Sequence, residues 1–313
     1  MYNRADTRDE EDEAQLIEEA LCPPDDDVEV ALSKIIGLEA VKNQVRGLRR
    51  TLEMESSNRI VPRHMTFLGN SGTGKTTVAR MLVPILYKMG AVKTPNFVEA
   101  GREDFVDKKS EARTIFKTRK LLEKASGGVL YIDEAYTMLP STGRPRGRDH
   151  GAAALREIAR SLPSGSPMVI LTGASLELQR ILSSDIGFKG HFLTRIEFPD
   201  PSPSQVSRMF MAKLSQKGLV AGDGLTVPYL AELIEHNTDE EWRHDRNGRM
   251  SDLLLQGVRS EMRRRLQAND ETSRMSISPM KLLLPGAQRI PSFTPEEVFV
   301  TVEDVQNAIV NGM

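Results

Sequence analysis

The sequence has little of what a secreted, membrane-spanning or disulfide-stabilised protein needs. It contains a single cysteine, Cys22, which has no partner for an intrachain disulfide, so we expect a reducing compartment. No apolar run reaches the length that spans a membrane. The first residues are acidic, whereas a secretory signal begins with a basic and then an apolar stretch. These absences predict a soluble intracellular protein with no membrane partner.

An excess of either charge is also missing. The 313 residues include 42 lysines and arginines against 44 aspartates and glutamates, which leaves a net charge of −2. Without a basic field or a basic stripe, nucleic acid is not an expected partner. The proportions of hydrophobic residues, 39%, and of charged residues, 27%, are ordinary for a globular protein. The length allows one large domain or two.

One glycine-rich segment matches the phosphate-loop pattern G-x-x-x-x-G-K-[ST]. It follows an apolar strand pattern over residues 64–68 and precedes a helical pattern over residues 77–89, which is the context the motif requires and which disfavours a chance glycine-rich turn. The glycines let backbone N–H groups turn inward around phosphates, and the helix start adds a positive dipole end. Lys75 supplies a charge for the outer phosphates, and the Thr76 hydroxyl can ligate magnesium. The residues of the loop are Gly69, Asn70, Ser71, Gly72, Thr73, Gly74, Lys75 and Thr76.

Two adjacent carboxylates follow a second buried strand pattern. Asp133 and Glu134 come directly after the apolar run 129–132. At the carboxyl end of a central strand, Asp133 can hold Mg²⁺ through water, and Glu134 can polarise the attacking water. Adjacent carboxylates are usually only a solvated strand end, but their position after a matched phosphate loop favours a catalytic pair. We therefore predict Lys75, Glu134 and Asp133 as catalytic residues, and Thr76 and Asp133 as the metal ligands.

Strand-like and helix-like segments alternate between residues 64 and 198. This alternation predicts the α/β class, with a parallel sheet that carries helices on both faces and binds ligands at the carboxyl ends of its strands. From residue 202 the strand signal fades and helical patterns follow. We predict an acidic, largely disordered tail over 1–27, a nucleotide-binding α/β domain over 28–200 and a helical domain over 201–313. The tail is either a partner-binding arm or a solvated linker.

Several segments together resemble AAA+ ATPases of the CbbX/CfxQ type, a group that includes red-type Rubisco activases and stage V sporulation protein K-like proteins. The resemblance extends over roughly residues 32–266. It implies a P-loop NTPase fold with a five-stranded parallel sheet and a small α-helical lid. It also implies ATP and Mg²⁺ as ligands, and a ring of subunits, a hexamer in the family, with each nucleotide at a subunit boundary. The strongest matches are the segments 36–42, 64–70, 72–80, 127–136 and 198–200.

The resemblance also implies roles for residues outside the phosphate loop. Ile36 and Gly37, in an apolar turn ahead of the loop, correspond to residues that contact adenine. Arg249 corresponds to the lid arginine that reaches the phosphates, and Thr172 is our candidate for the position that senses the attacking water. Thr77 completes the nucleotide contacts of the loop. From the residues alone, an apolar turn with a glycine is a weak signal, since such turns are common.

Two segments depart from the family's pattern. Family members carry an arginine that serves the neighbouring subunit's site, and His191 takes its place here, while Lys189 keeps a charge nearby and Arg195 is an alternative cation. An imidazole is mostly uncharged at pH 7 and lacks the planar fork of a guanidinium, so we expect slow hydrolysis. Residues 107–112 are charged where the family has an aromatic residue that grips substrate in the central pore.

Two functions fit these features. The leading prediction is an AAA+ ATPase that couples ATP hydrolysis to remodelling of a partner protein, with Rubisco as one candidate client and the cytoplasm or plastid stroma as its compartment. The alternative, which His191 favours, is a slow or hydrolysis-deficient ATP-binding regulatory subunit of a mixed ring. A phosphoryl-transfer enzyme for a small metabolite fits less well because of the lid-like helical domain. A DNA-loading ATPase is disfavoured by the net charge of −2.

Overall fold

The structure is a computed structural model that describes residues 26–55, 64–139, 149–183, 187–188, 190–276 and 299–312. Three features of the sequence analysis lie outside these ranges: almost all of the predicted acidic tail, Cys22 and Lys189. The described part of the tail is Asp26 and Asp27. The Asp26 side chain accepts a hydrogen bond from the backbone N–H of Val28, and thereby caps the first helix.

Five parallel strands form the central sheet, in the spatial order β2-β3-β4-β1-β5. Every residue of β1, β3 and β4 is buried, as expected for strands covered by helices on both faces. The predicted α/β class with a five-stranded parallel sheet is confirmed. The strands are β1 (His64–Leu68), β2 (Phe97–Ala100), β3 (Val129–Ile132), β4 (Met168–Gly173) and β5 (Phe192–Glu197).

Two hydrophobic cores lie on opposite faces of this sheet. Successive side chains of a strand point to opposite faces, so Val129 and Tyr131 lie in one core and Leu130 and Ile132 lie in the other. Helices α1, α2 and α3 cover the first core, and α5, α6 and α7 cover the second. The helices of this part are α1 (Asp27–Ser33), α2 (Glu39–Glu55), α3 (Lys75–Lys88), α4 (Arg102–Phe105), α5 (Glu111–Lys124), α6 (Gly151–Ser161) and α7 (Ser175–Leu182), with 3₁₀ turns at Ala135–Met138 and Leu162–Ser164.

A third core holds together residues 203–276 and 299–312, which we call the C-terminal helical region. Val206, Phe210, Leu230 and Val258 are among its buried members. Its helices are α8 (Pro203–Gln216), α9 (Val227–Asn237), α10 (Glu240–Arg246), α11 (Met250–Ser276) and α12 (Val302–Gly312), with a 3₁₀ turn at Asn247–Arg249 and a parallel pair of two-residue strands, β6 (Val220–Ala221) and β7 (Phe299–Val300).

Helices α4 and α10 and the pair of short strands were not predicted from the sequence. Two-residue strands are too short to show a period, and α10 has no buried residue from which an apolar stripe could be detected. The sequence nevertheless contains one local signal for α10, which is the aspartate at its N-cap position, Asp239. The Asp239 side chain accepts a 2.6 Å hydrogen bond from the backbone N–H of Trp242, which is the geometry of a helix N-cap.

Candidate functional site

The segment 69–76, which we call the phosphate loop, connects the carboxyl end of β1 to the first turn of α3. Two of its glycines have positive φ angles and no room for a side chain. A Cβ atom on Gly69 (φ 157°) would lie 2.4 Å from the carbonyl oxygen of Phe198, and one on Gly72 (φ 80°) would lie 2.7 Å from that of Arg246. The tight path of the loop therefore depends on glycine at both positions.

Lys75 is the first residue of α3 and is only 8% exposed. Its Nζ donates hydrogen bonds to the carbonyl oxygens of Gly69, at 2.8 Å, and Asn70, at 2.5 Å. Burial lowers the pKa of Lys75, while the negative charges of Asp133 and Glu134 act in the opposite direction. The ammonium group thus lies inside the curve of the loop and within the electrostatic reach of both predicted carboxylates.

Thr172, near the end of β4, contacts both Asp133 and Glu134, which we call the acidic pair. Its hydroxyl donates a 2.7 Å hydrogen bond to Oδ1 of Asp133 and accepts one of 3.2 Å from the backbone N–H of Glu134. Glu134 has φ 44° and ψ 50°, a left-handed conformation that is unfavourable for residues other than glycine. Strained residues of this kind cluster at functional sites, where the surrounding structure holds them in place.

Thr76 makes a contact that the sequence analysis did not anticipate. Its hydroxyl lies 2.9 Å from the hydroxyl of Tyr131 on β3. Burial raises the pKa of Tyr131 to about 12, so the phenol stays protonated at neutral pH. The signal for Tyr131 in the sequence was a hydroxyl-bearing residue inside an otherwise aliphatic strand. Through this contact Thr76 is linked to the strand that ends at the acidic pair.

The residues present fit a magnesium ion held partly by a substrate. A threonine hydroxyl and a carboxylate are hard oxygen donors of the type that Mg²⁺ prefers, and Mg²⁺ commonly uses one or two protein ligands with water and phosphates. Within the described ranges, no group of three or more His, Cys, Asp and Glu side chains could hold a metal by itself. Thr76 and Asp133 are therefore suited to a shared site of this kind.

The C-terminal helical region also contacts the phosphate loop. The Nδ2 of Asn247 donates to the carbonyl oxygen of Ser71, and the N–H of Gly248 donates to that of Gly72, both at 3.0 Å. Arg249 lies beside them, because a Cβ atom on Gly72 would be 3.3 Å from its Cγ, and its charge contributes to the lowered pKa of Lys75. The structure places Arg249 at the loop, as the family resemblance implied.

A second contact between the loop and this region passes through Asp200. Its two carboxylate oxygens accept hydrogen bonds of 2.9 and 3.0 Å from Nδ2 of Asn70, and Oδ2 also lies 2.6 Å from Nδ1 of His244 in α10. Sequence reasoning missed Asn247, His244 and Asp200 in these roles. The loop residues that they contact, Ser71 and Asn70, lie more than a hundred positions away in the sequence.

The remaining predicted contacts lie in the turn between α1 and α2 and on α3. Gly37, with φ 69°, and Leu38, with φ 58°, form the turn between α1 and α2. A Cβ atom on Gly37 would lie 2.9 Å from Nε2 of Gln205, so this turn packs against the start of α8. Ile36 in the same turn is partly exposed, and Thr77 is exposed on α3. The Leu38 side chain approaches Gly74, which places the turn next to the phosphate loop.

Comparison with known proteins agrees with this arrangement. Residues 65–200 match the family described as ATPase family associated with various cellular activities (AAA). ESX-1 secretion system protein EccA1 of Mycolicibacterium smegmatis is 34% identical over 189 residues, which cover 58% of this chain and 33% of that protein. The chloroplastic ribulose bisphosphate carboxylase/oxygenase activase of Cyanidioschyzon merolae is 34% identical over 184 residues, which cover 55% of this chain and 61% of that protein. Protein CbbX of Cereibacter sphaeroides is 33% identical over 182 residues, which cover 55% of this chain and 58% of that protein.

This chain carries an AAA domain of the CbbX/CfxQ type. The prediction of that family is confirmed, and membership of an ATPase family implies ATP binding. The chain spans about a third of the length of EccA1 and about three fifths of the length of the other two relatives. Among the described helices, none is both long and apolar enough to cross a membrane.

His191 lies at the opposite edge of the AAA domain's sheet from the phosphate loop. It directly precedes β5, whose first residue pairs with His64 at the amino end of β1, and its ring centroid is 6.4 Å from that of His64. His64 is fully buried, donates from Nε2 to the carbonyl oxygen of Leu162 and accepts at Nδ1 from the N–H of Val169, both at 2.9 Å. Burial lowers the pKa of His64, which favours the uncharged ring.

Arg195 and the segment 107–112 complete the comparison with the family's pattern. Arg195 is exposed on β5, where it pairs with Glu197 and donates to the Ser175 hydroxyl. Asp107 accepts hydrogen bonds from the backbone N–H groups of Lys109 and Ser110, so the charged segment forms a tight turn that leads into α5. Phe116, 69% exposed on α5, is the nearest exposed aromatic side chain along the chain. It belongs to the helix and not to the segment 107–112.

Proposed function

We propose that this chain binds ATP with Mg²⁺ at the phosphate loop, hydrolyses it, and couples hydrolysis to remodelling of a partner protein. The observation that carries the proposal is the bridge made by Thr172, which holds Asp133 and Glu134 at the end of β3, within electrostatic reach of Lys75. A phosphate-binding cation and a carboxylate able to polarise water at one edge of a sheet are the two parts that nucleoside-triphosphate hydrolysis requires.

Each predicted residue has a role in this proposal. The loop's N–H groups and Lys75 hold the phosphates, and Arg249 adds a second cation beside Gly72. Thr76 and Asp133 would hold Mg²⁺, which supplies positive charge at the phosphates. Glu134 orients the attacking water, with Thr172 fixing its backbone. Ile36 and Gly37 lie in the turn beside the loop and would contact the adenine.

Assembly and client belong to the same proposal. We propose a ring of subunits, with six as the family's number, because His191 lies too far from the loop of its own chain to serve it. The relatives carry names that point to different processes, a secretion system and ribulose bisphosphate carboxylase/oxygenase activation. The proposed client is therefore a protein, with Rubisco one candidate, in the cytoplasm or a plastid stroma. The alternative, a slow ATP-binding subunit of a mixed ring, is favoured by His191 in place of a cation.

Replacing Lys75 tests the binding step. We expect Lys75→Ala to abolish measurable ATP binding, because it removes the ammonium group held inside the loop. Lys88→Ala is the matched control, since Lys88 is an exposed lysine at the other end of the same helix. Binding is measured by isothermal titration with Mg-ATP, and folding by thermal unfolding. A folded Lys75→Ala variant with unchanged ATP affinity would contradict the proposal.

A further inference from the structure

Two consecutive residues of the C-terminal helical region bind two consecutive carbonyl groups of the phosphate loop. The side-chain amide of Asn247 donates to Ser71, and the backbone N–H of Gly248 donates to Gly72. The partners are 176 positions apart in the sequence for both hydrogen bonds. These contacts reach the loop through its carbonyl oxygens, which are not the groups that bind phosphate.

Holding a carbonyl group also fixes the direction of the next N–H group. A trans peptide unit is planar, and its C=O and N–H bonds point in opposite directions. The bond to the Ser71 carbonyl therefore sets the orientation of the Gly72 N–H, and the bond to the Gly72 carbonyl sets that of the Thr73 N–H. Inward-pointing N–H groups are what a phosphate loop uses to hold an anion.

The contact is closely packed and conformationally specialised. Asn247 is 1% exposed and has φ 49° and ψ −131°, a conformation that glycine adopts readily and asparagine rarely. A Cβ atom on Gly248 would lie 2.8 Å from the carbonyl oxygen of Gly72. The Gly248 carbonyl in turn accepts a 2.6 Å hydrogen bond from the Ser251 hydroxyl at the start of α11. The Gly248 side of the contact is thus fixed to the start of α11.

We propose that Asn247 is a positioning residue for phosphate binding, acting from behind the loop by orienting the N–H group of Gly72, beside the Gly248 bond that orients the N–H group of Thr73. This inference rests on the proposed nucleotide site. It gives the C-terminal helical region a function at the phosphates in addition to that of Arg249. Asn247 orients groups that contact the phosphates and does not contact them itself.

We expect the loss of the Asn247 amide to weaken the binding of ligands that carry phosphate and not of ligands that lack it. A loss of loop orientation weakens the binding of ligands that carry a diphosphate and leaves the binding of the base and sugar unchanged. Removing the Asn247 amide, which also donates to the carbonyl oxygen of His244, should weaken ADP binding by about three- to tenfold. Adenosine, which has no phosphate, should bind within about twofold of wild type.

Asn247→Gly is the decisive variant, because glycine accepts the backbone conformation and lacks the amide. Asn237→Gly is its matched control, since Asn237 is also in the C-terminal helical region and donates its Nδ2 to a backbone carbonyl, that of Leu233, away from the loop. Asn247→Asp keeps the shape and replaces the donor with an acceptor facing the Ser71 carbonyl. The dissociation constants of ADP and adenosine are measured by competition against a fluorescent ADP, with thermal unfolding on the same samples.

Selective weakening of ADP by Asn247→Gly and Asn247→Asp, with Asn237→Gly like wild type, supports the inference. Equal weakening of ADP and adenosine overturns it, because the effect is then a general structural one. Wild-type affinity for ADP in a folded Asn247→Gly variant overturns it as well. If wild type binds ADP and Lys75→Ala does not, such a failure leaves the proposed nucleotide site intact. A wild type that binds no ADP overturns both.

Discussion

The two edges of the central sheet use polar residues in opposite ways. At the carboxyl edge, the charged groups have specific partners: Lys75 binds loop carbonyls, and Asp133 binds the Thr172 hydroxyl. At the amino edge, His64 is a buried ring with both nitrogens bonded to the backbone, and His191 lies against it. The carboxyl edge therefore has charged side chains in fixed positions, whereas at the amino edge the His64 imidazole is buried and that of His191 is partly exposed.

This difference separates what the chain does for its own nucleotide from what it offers to a neighbouring subunit. The two edges are joined by β1, whose five residues span about 16 Å. In the proposed ring, a group at the amino edge would reach a nucleotide only if that nucleotide belonged to another subunit. Under this proposal the chain would supply a lysine and two carboxylates to its own nucleotide and an imidazole to its neighbour's, which the following predictions test.

The largest effect is expected at the carboxyl edge, from Glu134→Gln. The amide cannot polarise water, so the turnover number should fall by about a hundredfold or more, while ATP affinity stays within about twofold. Glu123→Gln, on the exposed side of α5, is the control. Steady-state phosphate release and equilibrium ATP binding are measured on both variants. Turnover that survives within about twofold would show that Glu134 is not the catalytic group.

The next effect is expected at the amino edge, from His191→Arg. A permanent charge in place of the imidazole should raise turnover by about tenfold or more, since a finger acts on charge in the transition state. ATP affinity should change little. His236→Arg, the same substitution on the exposed end of α9, is the control, and assembly state is measured for every sample. If the wild-type protein hydrolyses ATP rapidly and His191→Arg does not change its turnover number, then Arg195 or Lys189 already supplies the cation to the neighbouring subunit's site.

A smaller effect is expected from Thr172→Val, which keeps the shape of the side chain and removes the bridge between β4 and the acidic pair. Turnover should fall by about three- to tenfold because Glu134 loses the bond that fixes its backbone. Thr172→Ser keeps the hydroxyl and should retain most of the activity. A valine variant as active as wild type would show that the left-handed conformation of Glu134 is held without Thr172.

The sequence predicted the parts of this fold whose signal is local. Buried strands such as β1 and β3 are continuous apolar runs, and the structure reproduces their predicted bounds. The phosphate loop follows from glycine spacing, and the match of the chain to an AAA family agrees with it. The placement of Arg249 beside the loop followed from the family resemblance, with no local pattern to indicate it.

The rest depends on segments that meet only in the folded chain. Neither the Asn247 contact with Ser71 nor that of Tyr131 with Thr76 has a periodic signal, because a hydrogen bond between distant segments leaves no pattern along the sequence. In the sequence Asn247 has no feature that sets it apart from other residues at helix ends, and its positive φ angle is visible only in the structure. The residue-level roles assigned to the predicted site remain predictions for the experiments above.

The long helix α11 begins two residues after Gly248, the residue whose N–H binds the phosphate loop. Its 27 residues form a rod about 40 Å long. A tilt of about 10° with its pivot at Gly248 would move the far end of this rod by about 7 Å. A small rotation at the phosphate loop would therefore become a displacement of several ångströms at the far end of α11.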